Sequence, residues 1–297
     1  IALRDRLGET NSVIRYGPTK RASMSPRATI ILIPLCLTLS GLFAISSATS
    51  SMAQSTDTAS PEPLVVVELF TSQGCSSCPP ADEVLQQIEQ VARKGNLPVY
   101  TLSFHVDYWN RLGWSDPYSD EAFSNRQRSY AAASGSRRVY TPQMIVNGTK
   151  EFVGSNRSKA HATISQALRS GENRQIAQPT IELRAQASRS DVVVRINYSV
   201  SGHLQDDVLN IAMIDSPSPN RVPRGENAGR ELSHVNVVRN FRTIRIDESS
   251  GQIQMKLPKG MSASESSIVA YVQQVSSTRA ITAASKADVK TPLASGS

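Results

Sequence analysis

Apolar positions along the chain fall into two regimes. From Leu64 to Ser170, unbroken apolar runs alternate with runs at helical spacing; beyond Pro179, apolar and polar residues alternate one by one. Leu64 to Phe70 is β-branched and apolar except for Glu68, the pattern of a strand buried on both faces. Thr71-Ser72-Gln73-Gly74 reads as a turn. After Pro79-Pro80, Val84, Leu85, Ile88, Val91 and Ala92 recur at helical spacing. Asp82 and Glu83 lie in the first turn of that helix, and Arg93-Lys94 precede Gly95 at its end. Pro98 to Val106 predicts a second strand, Ser119 to Ser134 a helix closing at Gly135, Gln143 to Val146 a strand, and Ser158 to Ser170 a helix closing at Gly171. Strands alternating with helices predict an α/β layer structure.

The second regime predicts strands only. Val192, Val194, Ile196, Tyr198 and Val200 alternate strictly, as in a half-buried strand. Similar runs at 181–187, 208–214, 235–239, 241–246, 253–257 and 268–275 predict a β-rich, sandwich-like unit. The sequence after Ile281 is small and polar and reads as a frayed tail.

Ahead of both regimes, Met24 opens a stretch with Arg27 as a basic start and the apolar run Ile30 to Ile45. The small-x-small signature Ser51-Met52-Ala53 follows. This pattern predicts a secretory signal cut after Ala53, too short to span a bilayer, and hence an exported, periplasmic or extracellular protein with no membrane span after cleavage; an uncleaved membrane anchor is the alternative reading. Cys36 reads as an ordinary apolar residue of the signal. The expected division is 1–53 upstream segment and signal, 54–63 a Pro-punctuated linker, 64–175 an α/β domain, 179–281 a β-rich accessory domain, and 282–297 a flexible tail. Charge looks different once the signal is set aside. The whole chain carries +7; removing six basic and two acidic residues leaves 26 basic and 23 acidic, a net +3. That mild balance makes no case for a nucleic-acid partner.

Of three cysteines, only Cys75 and Cys78 survive the predicted cleavage. Two intervening residues let their sulfurs close a small reversible ring at a helix start, where unpaired N–H groups stabilise a thiolate. In this reading Cys75 attacks a disulfide and Cys78 resolves the mixed disulfide, with protein thiols, disulfides or a small thiol as partners and no cofactor. An inert staple is the bland alternative, although so short a loop stabilises only modestly. Zinc lacks a second ligand pair.

Val66 to Cys78 resembles the first strand and active-site turn of thioredoxin-fold proteins, nearest in style to glutaredoxins. Tyr140-Thr141-Pro142 resembles the cis-proline turn that faces the cysteines in that fold. Phe104-His105-Val106-Asp107-Tyr108-Trp109, running on through Gly113-Trp114, and Arg224-Gly225-Glu226-Asn227-Ala228-Gly229-Arg230 resemble a secreted thioredoxin-like family known as domain of unknown function 1223. The resemblance spans roughly residues 63 to 285. It implies an α/β thioredoxin-like domain followed by a β-rich C-terminal domain, implies a cis Pro142, and carries no substrate with it. One departure is informative. Pro79 and Pro80 follow Cys78 directly and push it away from the α region, so the helix is expected to start around Pro79–Ala81. Asp82 and Glu83 then oppose the helix dipole, favouring a reductase or isomerase over an oxidase.

Other candidates each have a bland reading. Glu68 relays protons to the second cysteine, or faces outward or pairs with an arginine, which strand alternation favours. His105 follows the second strand as an acid/base group, a ligand, or a structural residue; Trp109 and Trp114 line a groove or plug a loop. Thr141 carries a carbonyl for an extended substrate chain. Arg224 to Arg230 is a functional loop or a solvated mobile connector. Two rivals to an enzyme remain: a copper-handling module using the thiolates and His105, and a redox-inactive binding scaffold.

Overall fold

Every side chain of β1 (Val65–Thr71) is buried, because alternate residues of this strand feed two different cores. Val65, Val67 and Leu69 pack against helices on one face; Val66 and Phe70 enter an aromatic cluster on the other. The computed structural model describes residues 64–291 except 137, 173–178, 189–191, 204 and 276–277. The predicted signal, Cys36 and the linker lie outside the described residues, as do residues 292–297.

From β1 the chain continues through α1 (Pro79–Gly95), β2 (Val99–His105), a 3-10 helix (Asp107–Leu112), α2 (Glu121–Ala133), β3 (Gln143–Val146), β4 (Lys150–Val153) and α3 (Arg157–Glu172). β1 pairs parallel with β2 and antiparallel with β3, which pairs antiparallel with β4. α1 and α3 cover one face through Val84, Leu85, Ala160 and Ile164. α2 covers the other through Phe123 and Tyr130.

The second half contains β5 (Thr180–Ala187), β6 (Val193–Ser201), β7 (Val208–Asp215), β8 (Asn220–Arg221), β9 (Glu231–Leu232), β10 (Val237–Arg245), β11 (Ser250–Lys256), β12 (Ser267–Gln273) and β13 (Ile281–Lys290). β8 and β9 form a short ribbon of their own; the other eleven strands join one mixed sheet in the order β11-β6-β5-β13-β12-β7-β10-β2-β1-β3-β4. β7 and β12 serve two cores. Their Leu209, Ile211, Ile268 and Val272 pack with Val194 and Ile196 of β6, while Ala212, Ile214, Val269 and Tyr271 enter the aromatic cluster behind β1 and β2.

Several expectations are corrected. The two halves are not separate sheets: Val237 of β10 aligns with Ser103 of β2, and the Ser103 N–H donates to Asn236 O at 2.9 Å. The tail expected from residue 282 is instead β13, antiparallel to β12 and parallel to β5. Its alanines and serines give little strand signal, and pairing on both sides overrides propensity. The strands expected at 235–239 and 241–246 are one strand, bent by a register shift between Val238 and Asn240. β4 was not expected; it is four residues long, with only Phe152 buried. Among the described residues no helix is long and apolar enough to cross a membrane.

Candidate functional site

The turn after β1 is built by short backbone bonds. The Cys75 N–H donates to Ser72 O (3.1 Å), Cys78 N–H to Cys75 O (3.1 Å), and the Ala81 and Asp82 N–H groups to Cys78 O at 2.8 and 3.1 Å. Helix α1 therefore begins on the carbonyl of Cys78, with proline in the first positions, where a missing N–H costs nothing. The start is as expected, but Cys78 itself remains in the α region (φ −78°, ψ −39°) despite the following proline. Cys75 and Cys78 form a disulfide with Cα atoms 5.4 Å apart. Both cysteines are fully buried, whereas Ser76 and Ser77 between them are exposed.

A second wall comes from the segment before β3. The Thr141–Pro142 peptide is cis. The Thr141 hydroxyl donates to Cys75 Sγ at 3.3 Å and accepts the indole N–H of Trp109 at 2.8 Å. Trp109 also lies against the turn: a Cβ on Gly74 would come 3.1 Å from its Cβ. The Pro142 carbonyl accepts the N–H of Gly154, where a Cβ would come 2.7 Å from Leu69. Cys75, Cys78, Thr141, Pro142 and Trp109 are thus brought together.

A third wall comes from the second half of the chain, from the 224–230 segment that resembles the family. Asn227 is fully buried, and its amide donates at 2.9 Å to both Gln73 O and Cys75 O. Arg230 donates to Asn227 Oδ1 at 2.9 Å, and Glu226 Oε2 accepts the Ser76 N–H at 2.9 Å. Of the two readings of 224–230, the solvated connector is set aside, because Asn227 and Glu226 clasp the cysteine turn.

Behind the turn, Gln73 is the hub. Its N–H donates to Asp116 Oδ2 at 2.7 Å, its side-chain oxygen accepts from Trp114 (3.1 Å), and its amide donates to Asn220 (2.8 Å) and meets His234 Nε2 at 3.2 Å. Trp114 thus holds Gln73. His105 Nδ1 lies 2.7 Å from Asp116 Oδ2, and its ring meets that of His234 edge to face at 4.6 Å. Burial would raise the Asp116 carboxyl, but His105 and the Gln73 and Tyr118 N–H groups outweigh it and hold the pKa below the ordinary carboxylate value. Burial would lower His234, but Asp82, 3.7 Å from its Nδ1, outweighs that and raises its pKa, with help from Asp116. Asp82, expected to weigh on the thiolate unopposed, thus faces a histidine.

Glu68 does not join this site. β1 alternation sends it to the face opposite α1, where it accepts from Arg126 Nε (2.8 Å), from the Tyr271 hydroxyl (2.9 Å) and from the Tyr130 hydroxyl. The pairing with an arginine is what strand alternation favoured, and the proton relay is corrected. His105 is likewise tied to Asp116, and among the described residues no three His, Cys, Asp or Glu side chains gather as a metal site. Asp116, Asn220 and His234 were missed in the sequence, and Gln73 and Asn227 stood there only within the resembling segments, without a role of their own.

The sequence model of a family described as "Protein of unknown function (DUF1223)" matches residues 66–273. Among solved structures, a crystal structure of a protein from Agrobacterium tumefaciens is 30% identical, with TM-score 0.56, over 76% of this chain and 94% of its own. A thioredoxin from Wuchereria bancrofti is 14% identical, with TM-score 0.23, over 38% of this chain and 85% of its own, a likeness too slight to carry an argument. No curated protein matches.

Proposed function

The chain belongs to the DUF1223 family, and from the geometry of its cysteine turn we propose that it is an exported thioredoxin-like thiol–disulfide oxidoreductase, a reductase or isomerase of protein substrates. The observation that carries this reading is the Cys75–Cys78 disulfide at the start of α1, with the Thr141 hydroxyl on Cys75 Sγ beside a cis Thr141–Pro142 peptide. The strand order β2-β1-β3-β4, with helices on both faces, supports the thioredoxin-like assignment.

In the reduced protein, the Cys75 thiolate attacks one sulfur of a substrate disulfide, forming a mixed disulfide and expelling a substrate thiolate. Cys78 gives up its proton, attacks Cys75 Sγ, and releases the second thiolate. Two electrons pass from the dithiol to the substrate, and a dithiol donor restores the enzyme. Pro79 and Pro80 have no N–H and the Ala81 and Asp82 N–H groups are held by Cys78 O, so the start of α1 favours the thiolate through the helix dipole alone.

One observation favours an inert staple instead: both sulfurs are fully buried, so exchange requires the cover of Thr141 and Trp109 to shift. Redox titration by tryptophan fluorescence separates the two readings. An exchange-competent pair titrates above about −300 mV; a structural disulfide resists reduction at that potential.

A further inference from the structure

We propose that Glu226 makes this site select disulfides carrying a cationic group beside the reacting sulfur. The inference rests on the exchange reading above and adds a substrate class to it. Glu226 lies in the loop between β8 and β9, and its Oε2 accepts the N–H of Ser76, the residue that follows Cys75, at 2.9 Å. The carboxylate is exposed, as are Ser76 and Ser77, so it stands on the outer face of the turn.

Its position is fixed. The adjacent Asn227 is bonded to the Cys75 carbonyl, and the loop is closed on itself by Val222 N–H to Arg230 O (2.9 Å) and Gly229 N–H to Val222 O (2.8 Å). Gly225 adopts φ +79°, and a Cβ there would come 3.3 Å from Trp114 Cβ, so the chain enters Glu226 through a conformation that suits glycine. Arg230, a cation in the same loop, donates to Asn227 Oδ1. The Ser76 hydrogen bonds hold the Glu226 carboxyl below its ordinary pKa, so it is ionised at neutral pH. A substrate reaching Cys75 therefore passes a fixed negative charge beside the nucleophile. In water, one unit charge about 4 Å away changes an encounter by a factor of about five.

The test uses the full chain carrying Cys36→Ser, reduced with dithiothreitol and freed of it. It is mixed by stopped flow with cystamine, a dication, or with dithiodiglycolate, a dianion, at equal ionic strength. The proposal expects the cystamine-to-dithiodiglycolate rate ratio to fall at least about fivefold in Glu226→Gln, which keeps an acceptor for Ser76, and to fall further in Glu226→Lys. Both reagents reacting with a ratio unmoved by either substitution would overturn the proposal and leave the exchange reading standing. Failure of the reduced protein to react with either reagent would overturn both.

Discussion

Asn227 holds two carbonyls of the cysteine turn on one amide, those of Gln73 and Cys75. Asn227→Ala takes this partner from the buried Gln73 carbonyl and leaves Cys75 O with the Cys78 N–H alone, and a buried polar group stripped of its partner costs about 1–3 kcal/mol. We predict a loss in that range or above it in urea denaturation; a loss below about 0.5 kcal/mol would show that the clasp contributes nothing. His234 yields a pH prediction. Its folded pKa is raised above the ordinary 6.5 by Asp82, against burial. Its contribution is therefore fully present below about pH 6.5 and lost as pH rises through the folded value. Wild-type stability is expected to decline between neutral and mildly alkaline pH, and Asp82→Asn to flatten that decline. An unchanged slope in the variant would contradict the pairing. None of this was legible locally. Gln73 meets His234 161 residues away and Asn220 147 residues away, and a lone histidine or asparagine in a loop carries no periodic signal. The Cys-x-x-Cys pair was legible because a few adjacent residues specify it, and the cis proline before β3 only through the resemblance to thioredoxin-fold proteins.

At the scale of elements, the buried pair of Glu68 on β1 and Arg126 on α2 lies within the expected 64–175 domain, and side chains of the expected second domain close around it. Tyr271 on β12 donates to the same carboxylate, and Arg126 lies 4.9 Å from the Phe241 ring and 5.5 Å from that of Tyr271. Breaking a buried pair strands the surviving charge, so Arg126→Met alone is expected to cost about 3–5 kcal/mol. The double variant Glu68→Leu/Arg126→Met is expected to cost much less. Denaturation of the wild type, Glu68→Leu, Arg126→Met and the double variant gives the coupling, and additive losses would refute it. The helices and long strands of the first half were readable because their apolar periods are unbroken. β13 and β4 were not, since small or charged residues form those strands only through the neighbours they pair with.

Across the whole molecule, the eleven-stranded sheet makes the two halves interdependent. β13 lies inside the sheet order, so a chain truncated before Ile281 loses the partner of both β12 and β5 and is expected to lose cooperative unfolding by circular dichroism. A truncated chain that melts like the full one would show that the second core stands without it. The same continuity carries the 224–230 loop onto the cysteine turn. Insulin reduction by dithiothreitol, followed by turbidity with catalytic amounts of the full chain, tests the central claim most directly. The account predicts acceleration by the wild type and none by Cys75→Ser. Equal turbidity curves for wild type, Cys75→Ser and a blank would contradict it, and leave the Cys75–Cys78 bond as a staple of the turn.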